Sequence, residues 1–191
     1  MYTVYFDLET GGVEPQHPVI QLAAVAVDGA GKEASSFEQK IAFDVAACDP
    51  EALKVNGFTP DAWKDAPSSA VTVARFSNWL KPYCSLGMVS KRTGRPYSVA
   101  KLAGYNAVGF DMPRLRALYA NDFLPCSYLV RDVLQRALYY FDERPSVTPP
   151  ENFKLTTVCA YFDINVEGAH DALADARMSA RLAARLAEEV W

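Results

Sequence analysis

Two runs of aromatic and β-branched residues stand at the start of the chain, ahead of any segment with helical periodicity. Tyr2 to Leu8 reads as a strand, Gly11-Gly12 turn the chain, and Val19 to Val27 reads as a second strand. A third strand is expected to include Phe37 to Phe43. Three strands in succession form a meander, so a sheet is begun before a long helix is available to cover it.

Helical signals follow. Asp49-Pro50 starts a short helix over Glu51 to Val55, Thr59-Pro60 starts another, and Val71 to Leu80 carries apolar residues at helical spacing. Ser85 to Lys101 reads as an exposed loop: it holds Lys91, Arg92, Arg95 and Lys101 around Gly94 and Pro96, with Lys81 just before it. Beyond it, Leu102 to Tyr105 reads as a short strand and Pro113 to Ala120 as a helix. Val130 to Phe141, Lys154 to Phe162 and Asp171 to Val190 read as further helices, with Pro145 to Pro150 as a linker between helices.

A chain of 191 residues, 50% apolar, supports one substantial core, and residues 1–191 are read as a single domain. No stretch approaches the roughly 18–20 uninterrupted apolar residues of a membrane span, and Met1 leads directly into strand residues rather than a basic and apolar leader. A soluble, cytoplasmic protein with no membrane partner is expected. Cys48, Cys84, Cys126 and Cys159 are widely separated with no CxxC pair, which excludes a zinc knuckle or redox dithiol and leaves reduced thiols. A net charge of −4 argues against a protein that simply coats nucleic acid, since such binding rests on neutralising phosphates. Any such contact must be local or mediated by metal ions.

Several carboxylates run against the pattern around them. Alternation puts Tyr2, Val4, Phe6 and Leu8 on one face of the first strand and Thr3, Tyr5, Asp7 and Glu9 on the other, so the two acids project to one side about 7 Å apart. Their repulsion is roughly 2–3 kcal/mol at an effective dielectric near 20. Two solvated acids beside a Gly-Gly turn would tolerate that, whereas a central strand would need cations to offset it. In the last helix Asp175 is in register with Ser179, Leu182 and Leu186, the face that packs inward. His170, five residues earlier, cannot converge with Asp175 from a regular helical position, so it belongs on the preceding loop, pointing into the same cleft. Alone, it reads by default as a buried or surface structural histidine. Asp171 reads as a cap for free backbone amides. In Asn106-Ala-Val-Gly-Phe-Asp111 a strand ends and a helix begins, and Asp111 is either a helix N-cap or a ligand.

Together these sites resemble the three motifs of the DEDD exonuclease family in its histidine-containing (DEDDh) branch, within the RNase H-like superfamily. The first is Asp7-Leu8-Glu9, the second Asn106 with Phe110-Asp111, and the third His170, four intervening residues, and Asp175. Val55-Asn56-Gly57-Phe58-Thr59-Pro60 is similar to the family's segment after the third strand, and Lys154 to Val158 to its helix before the third motif. Nearly the whole chain is covered. Tyr105 stands where many relatives have histidine, Gly109 gives the longer spacing between the asparagine and the Phe-Asp pair, and the basic Ser85 to Lys101 segment is longer than in minimal members.

The resemblance implies an α/β, RNase H-like exonuclease fold, a mixed five-stranded sheet flanked by helices, similar to proofreading exonuclease subunits. It implies a 3′-to-5′ exonuclease that hydrolyses single-stranded DNA ends to nucleoside 5′-monophosphates, with RNA trimming or non-catalytic end binding as the alternatives. Two Mg2+ ions, replaceable by Mn2+, suit four oxygen donors: Asp7 bridging both, Glu9 and Asp175 completing one, and Asp111 reaching the other through water. His170 would be the general base. The resemblance places the terminal nucleotide against Leu8, Glu9 and Thr10, with Asn106 in the second motif and Phe110 as either a base-contacting ring or core. Single-stranded nucleic acid is the expected partner, a polymerase or a second copy a further one. The cationic segment reads either as solvated or as a track for the upstream backbone. Arg177, Arg181 and Arg185 read as a solvated face, with Arg185 paired to Glu189.

Overall fold

The meander folds as three antiparallel strands with the second in the middle. The computed structural model describes residues 1–188, where β1 (Thr3–Thr10) pairs with β2 (Val19–Val27), and β2 with β3 (Glu33–Lys40). The opposite edge of β1 takes β6 (Leu102–Gly104) in parallel, and β7 (Arg131–Asp132) extends the sheet in parallel, giving the order β3-β2-β1-β6-β7. This is the mixed five-stranded sheet that the resemblance implies.

Seven α-helices and a two-stranded hairpin surround it among the described residues. α1 (Pro50–Val55), α2 (Pro60–Trp63) and α3 (Ser69–Leu80) follow the meander. β4 (Leu86–Val89) and β5 (Pro96–Val99) form a separate hairpin, and α4 (Asp111–Tyr119) precedes β7. α5 (Val133–Asp142), α6 (Leu155–Tyr161) and α7 (Ala172–Glu188) close the described chain. Short-range capping explains most starts: the Asp49 carboxylate accepts from the Glu51 amide, Thr59 Oγ1 from the Ala62 amide, and Asp171 Oδ1 from the amides of Leu173 and Ala174.

Alternation in β1 divides the core. Val4, Phe6 and Leu8 pack with Phe76 and Leu80 of α3 and with Met112, Leu115 and Tyr119 of α4. On the other face Tyr5 packs against the cluster built from α5, α6 and α7, including Phe141, Val158, Met178 and Leu182. α7 lies across β1 and β2, with Val25, Val27 and Ala176 buried together. The result is a sheet covered by helices on both faces, with the Asp7 and Glu9 side turned toward α7.

Four local expectations are corrected. The third strand spans Glu33–Lys40 rather than Phe37 to Phe43: its polar residues hide the early half, and beyond Ile41, whose amide still donates to Ile20 O, the chain turns away to Pro67. Ser85 to Lys101 is not a loop but holds the β4-β5 hairpin, whose four-residue strands lie largely exposed and are too short for an apolar run to mark them. The helix expected over Val130 to Phe141 begins at Val133, because Arg131 and Asp132 join the sheet first. Arg177 is not simply solvated: its guanidinium holds Glu33 at the start of β3 through two hydrogen bonds of 3.0 and 2.9 Å. The expected partner of Arg185, Glu189, lies outside the described residues; Arg185 pairs with Glu188 at 3.4 Å. All four cysteines are free, and no helix among the described residues is long and apolar enough to cross a membrane.

Candidate metal centre

β1 and α7 carry three acids to one point. One carboxylate oxygen each from Asp7, Glu9 and Asp175 lie within 4.8 Å of one another. Asp7 and Glu9 arrive there because they share a strand face. Asp175 arrives because Ser179, Leu182 and Leu186 on the same stripe of α7 are buried at 0–1% exposure and hold that stripe against the sheet. His170 sits just before the helix on an exposed loop with φ +69°, a left-handed conformation in which histidine is among the more tolerated residues. Its charge and backbone amide both favour the Asp175 carboxylate.

Asp111 enters from the other side of β1. It is the first residue of α4, 3% exposed, and its Oδ1 accepts the backbone amide of Leu8 at 3.2 Å. The N-cap alternative for Asp111 is therefore not what the chain does: Phe110 occupies that position, without a side-chain cap.

The electrostatics suit a site for a cation. Burial, reinforced by Asp111, Glu9, Asp175 and Asp171, holds the Asp7 carboxyl well above its usual range. Burial, then Asp175 and Asp171, raise Glu9 to about 7. Burial raises Asp111 to about 8 against the opposing Leu8 hydrogen bond and Arg114 charge. Burial raises Asp175 to about 6, opposed by His170. Asp175 Oδ1 and the neighbouring Ser179 Oγ are buried without a hydrogen-bond partner, and a buried acceptor left unpaired is costly. Among the described residues no lysine or arginine forms an ion pair with any of these four acids. A hard divalent cation would satisfy the orphaned oxygen and relieve the repulsion together, so the donor set fits one.

The remaining expected contacts are placed as follows. The Leu8 side chain is in the core at 4% exposure and its amide is taken by Asp111, so only its backbone borders the cleft. Thr10 is buried, at a register shift between Glu9 and Thr10, with Oγ1 donating to Gly12 O at 2.8 Å. Asn106 is exposed with φ +53°. The Phe110 ring is half-buried beneath the Arg114 guanidinium, 3.7 Å from its centroid. Tyr105, at the position where relatives carry histidine, is core, with its hydroxyl donating to Phe153 O at 2.7 Å.

Sequence reasoning missed Asp132. Its Oδ1 accepts the amides of Asn106, Leu134 and Gln135, and its Oδ2 that of Val108. One carboxylate thus caps α5 and shapes the loop that carries Asn106 toward Asp111. An acid just before an apolar helical run was the available signal, and it predicts only the capping half of the role. Gln21 was also missed: its amide donates to Glu38 and to Asp171, tying β2 to the turn that presents His170.

A mixed sheet flanked by helices, with acids gathered over its first strand, is the RNase H-like arrangement. Residues 4–87 match the family model described as Exonuclease. The chain is 30% identical over 175 residues to the PolC-type DNA polymerase III of Oceanobacillus iheyensis, a match covering 91% of this chain and 10% of that protein. It superposes on the zinc-ion-bound complex of E. coli exonuclease I with single-stranded DNA at a TM-score of 0.75 and 23% identity, covering 99% of this chain and 41% of that one. Exonuclease I of Methylocaldum szegediense is similar at a TM-score of 0.71 and 21% identity, with 99% and 40% covered. The chain therefore spans about a tenth of the PolC-type relative and about two-fifths of the exonuclease I chains. Residues 4–87 are thus similar to the exonuclease family, and the chain shares the fold of the exonuclease I structures.

Proposed function

We propose that this chain hydrolyses single-stranded DNA from its 3′ end, releasing nucleoside 5′-monophosphates, with Asp7, Glu9, Asp111 and Asp175 holding two Mg2+ ions. The observation that carries this reading is the convergence of Asp7, Glu9 and Asp175 within 4.8 Å, with the buried Asp175 Oδ1 left unpaired. When bound, such ions supply positive charge against the scissile phosphate and its attacking and leaving oxygens. Oxygen donors favour magnesium or manganese over zinc.

The protein's own part is positioning and proton transfer. His170 stands beside Asp175 on an exposed turn, where its imidazole can take a proton from the attacking water. The β1 backbone from Leu8 to Thr10 borders the place for the terminal nucleotide, and the Phe110 ring, backed by Arg114, offers it a stacking surface. A DNA substrate is supported by the relatives: one is a DNA polymerase, and exonuclease I is seen with a dT13 oligonucleotide.

The test is incubation with 5′-labelled single strands of DNA and RNA, with Mg2+ and with chelator. A metal-dependent ladder of single-nucleotide steps on DNA is expected, abolished in Asp7→Ala. Undiminished cleavage by that variant, or a ladder on RNA alone, would overturn the assignment.

A further inference from the structure

We infer that the β4-β5 hairpin and the sheet edge beside it form a second binding surface for single-stranded DNA, at the end of the sheet away from the carboxylates. The inference deepens the proposed function and rests on it for the choice of DNA.

Position comes from topology. Leu102 of β6 pairs with Val4, three residues before Asp7 on a parallel neighbour, which puts it about 10 Å short of the acids along the strand. The hairpin precedes Leu102 through Val99 and Ala100, so it projects from the far end of the sheet. α4 agrees: it begins at Asp111 in the metal centre, and Phe123, four residues beyond its last residue, meets Tyr97 of β5 with ring centroids 5.9 Å apart.

Chemistry comes from what lines this end. A groove of about 680 Å³ is bordered by Lys91, Arg92, Arg95, Tyr97, Phe123 and Tyr128, with no carboxylate. Phe123 and Tyr128 are 65% and 70% exposed, an unusual outlay of aromatic surface. A second cavity, of about 290 Å³, takes in Lys101, Arg131 and Arg136, and the chain runs from Tyr128 at the first to Arg131 at the second, where Arg131 Nη1 donates to Leu129 O at 2.7 Å. Its one carboxylate, Asp132, is already occupied by four backbone amides. None of the six cations forms an ion pair among the described residues. A chain of net charge −4 thus keeps Lys91, Arg92, Arg95 and Lys101 with three exposed rings at one end of the sheet, its acid cluster at the other, and Arg131 and Arg136 between them. Cations for phosphates interleaved with rings for bases are what a single strand recognises, whatever its sequence. An acidic, apolar peptide could use the same cations and rings, so it is the competitor in the experiment.

The experiment measures fluorescence anisotropy of labelled oligothymidylates in chelator, so that no cleavage intervenes. One strand is of roughly 20 nucleotides, beyond the 4–16-nucleotide footprint usual for one such module, and one of roughly 4. The triple variant Lys91→Glu, Arg92→Glu, Arg95→Glu is expected to bind the long strand at least about tenfold more weakly, with a log–log salt slope shallower by about 2. Phe123→Ala with Tyr128→Ala is expected to lose at least about fivefold; all five substituted side chains are exposed, and thermal melts confirm folding. Unchanged affinity for the long strand, or an equal loss on both strands, overturns the inference. So does preference of the wild-type surface for an acidic, apolar peptide over the long strand. Asp7→Ala separates the two proposals: it should keep full affinity for the long strand while losing cleavage, and if it still cleaves, the catalytic reading fails while this surface stands.

Discussion

The carboxylate of Asp111 accepts the backbone amide of Leu8, at 3.2 Å, across 103 residues of chain. The amide lies between the two acids of β1, so one hydrogen bond sets the first turn of α4 against the strand that carries Asp7 and Glu9. It also keeps a fourth acid close to two others, which only a cation or protonation can stabilise.

Asp111→Asn should therefore separate stability from activity. The amide oxygen can still accept from Leu8, and one negative charge leaves the cluster. In chelator near pH 8 the variant should melt at the wild-type temperature or above it, while metal-dependent cleavage falls by at least about a hundredfold, a loss of roughly 2.7 kcal/mol in transition-state stabilisation. Thermal melts and cleavage assays on one preparation decide it; an active Asp111→Asn would remove Asp111 from the site.

The metal-free protein should lose stability as pH rises. Glu9, Asp111 and Asp175 are raised to about 7, 8 and 6 from 4.5, 3.8 and 3.8, so the folded state holds more protons than the unfolded state across that interval. The contribution is fully present below about pH 4 and is lost as pH climbs through about 8. In chelator, Tm should fall between pH 5 and pH 8, by about 2–4 °C for each kcal/mol in a chain of this size. Added Mg2+ should raise Tm more at the upper end, where it no longer competes with protons. A Tm that rises with pH in chelator would contradict the cluster.

His170→Ala should slow cleavage by roughly 10²–10⁴-fold, the range for a lost general base. Isothermal titration with Mn2+ should find metal affinity nearly unchanged. Loss of affinity instead would make His170 a ligand.

Asp132→Ala should destabilise the protein and impair cleavage without touching a metal ligand. Four amides lose their acceptor, two of them in the loop carrying Asn106, at an expected cost of about 1–3 kcal/mol. Urea midpoints measure the first effect and kcat/KM the second, and Asp132→Asn should recover part of both.

Gly104→Ala should disturb the β1-β6 pairing. An added Cβ would lie 2.7 Å from Phe6 O and 2.9 Å from Ala107 Cβ, and the former is strand backbone that cannot step aside. A loss of about 1–3 kcal/mol by urea unfolding is expected; a neutral effect would show that β6 can move away from β1.

Much of this was legible because it is local. Val19 to Val27 is a strand with the bounds that its apolar run prints, and Asp49, Thr59 and Asp171 cap helices as their residue types require. Alternation alone put Asp7 and Glu9 on one face, and helical register alone turned Asp175 inward. The β4-β5 hairpin was not legible, since its strands are four residues each, largely exposed, and set among glycine, proline and cations that read as a loop. Neither was the grip of Arg177 on Glu33, or the double use of Asp132, because each joins segments far apart in sequence whose approach no short-range rule contains.

By itself, then, the sequence determined which side chains oppose their surroundings: two acids on a strand face, one on a buried helix stripe, one at a helix start. Only the tertiary structure decided that these are a single conflict. α7 crosses β1 and β2 and so lowers Asp175 onto Asp7 and Glu9, while the Leu8 amide draws Asp111 in from the opposite face. Periodicity encodes the direction of a side chain relative to its own element; the distance between two elements is fixed by how their apolar faces pack.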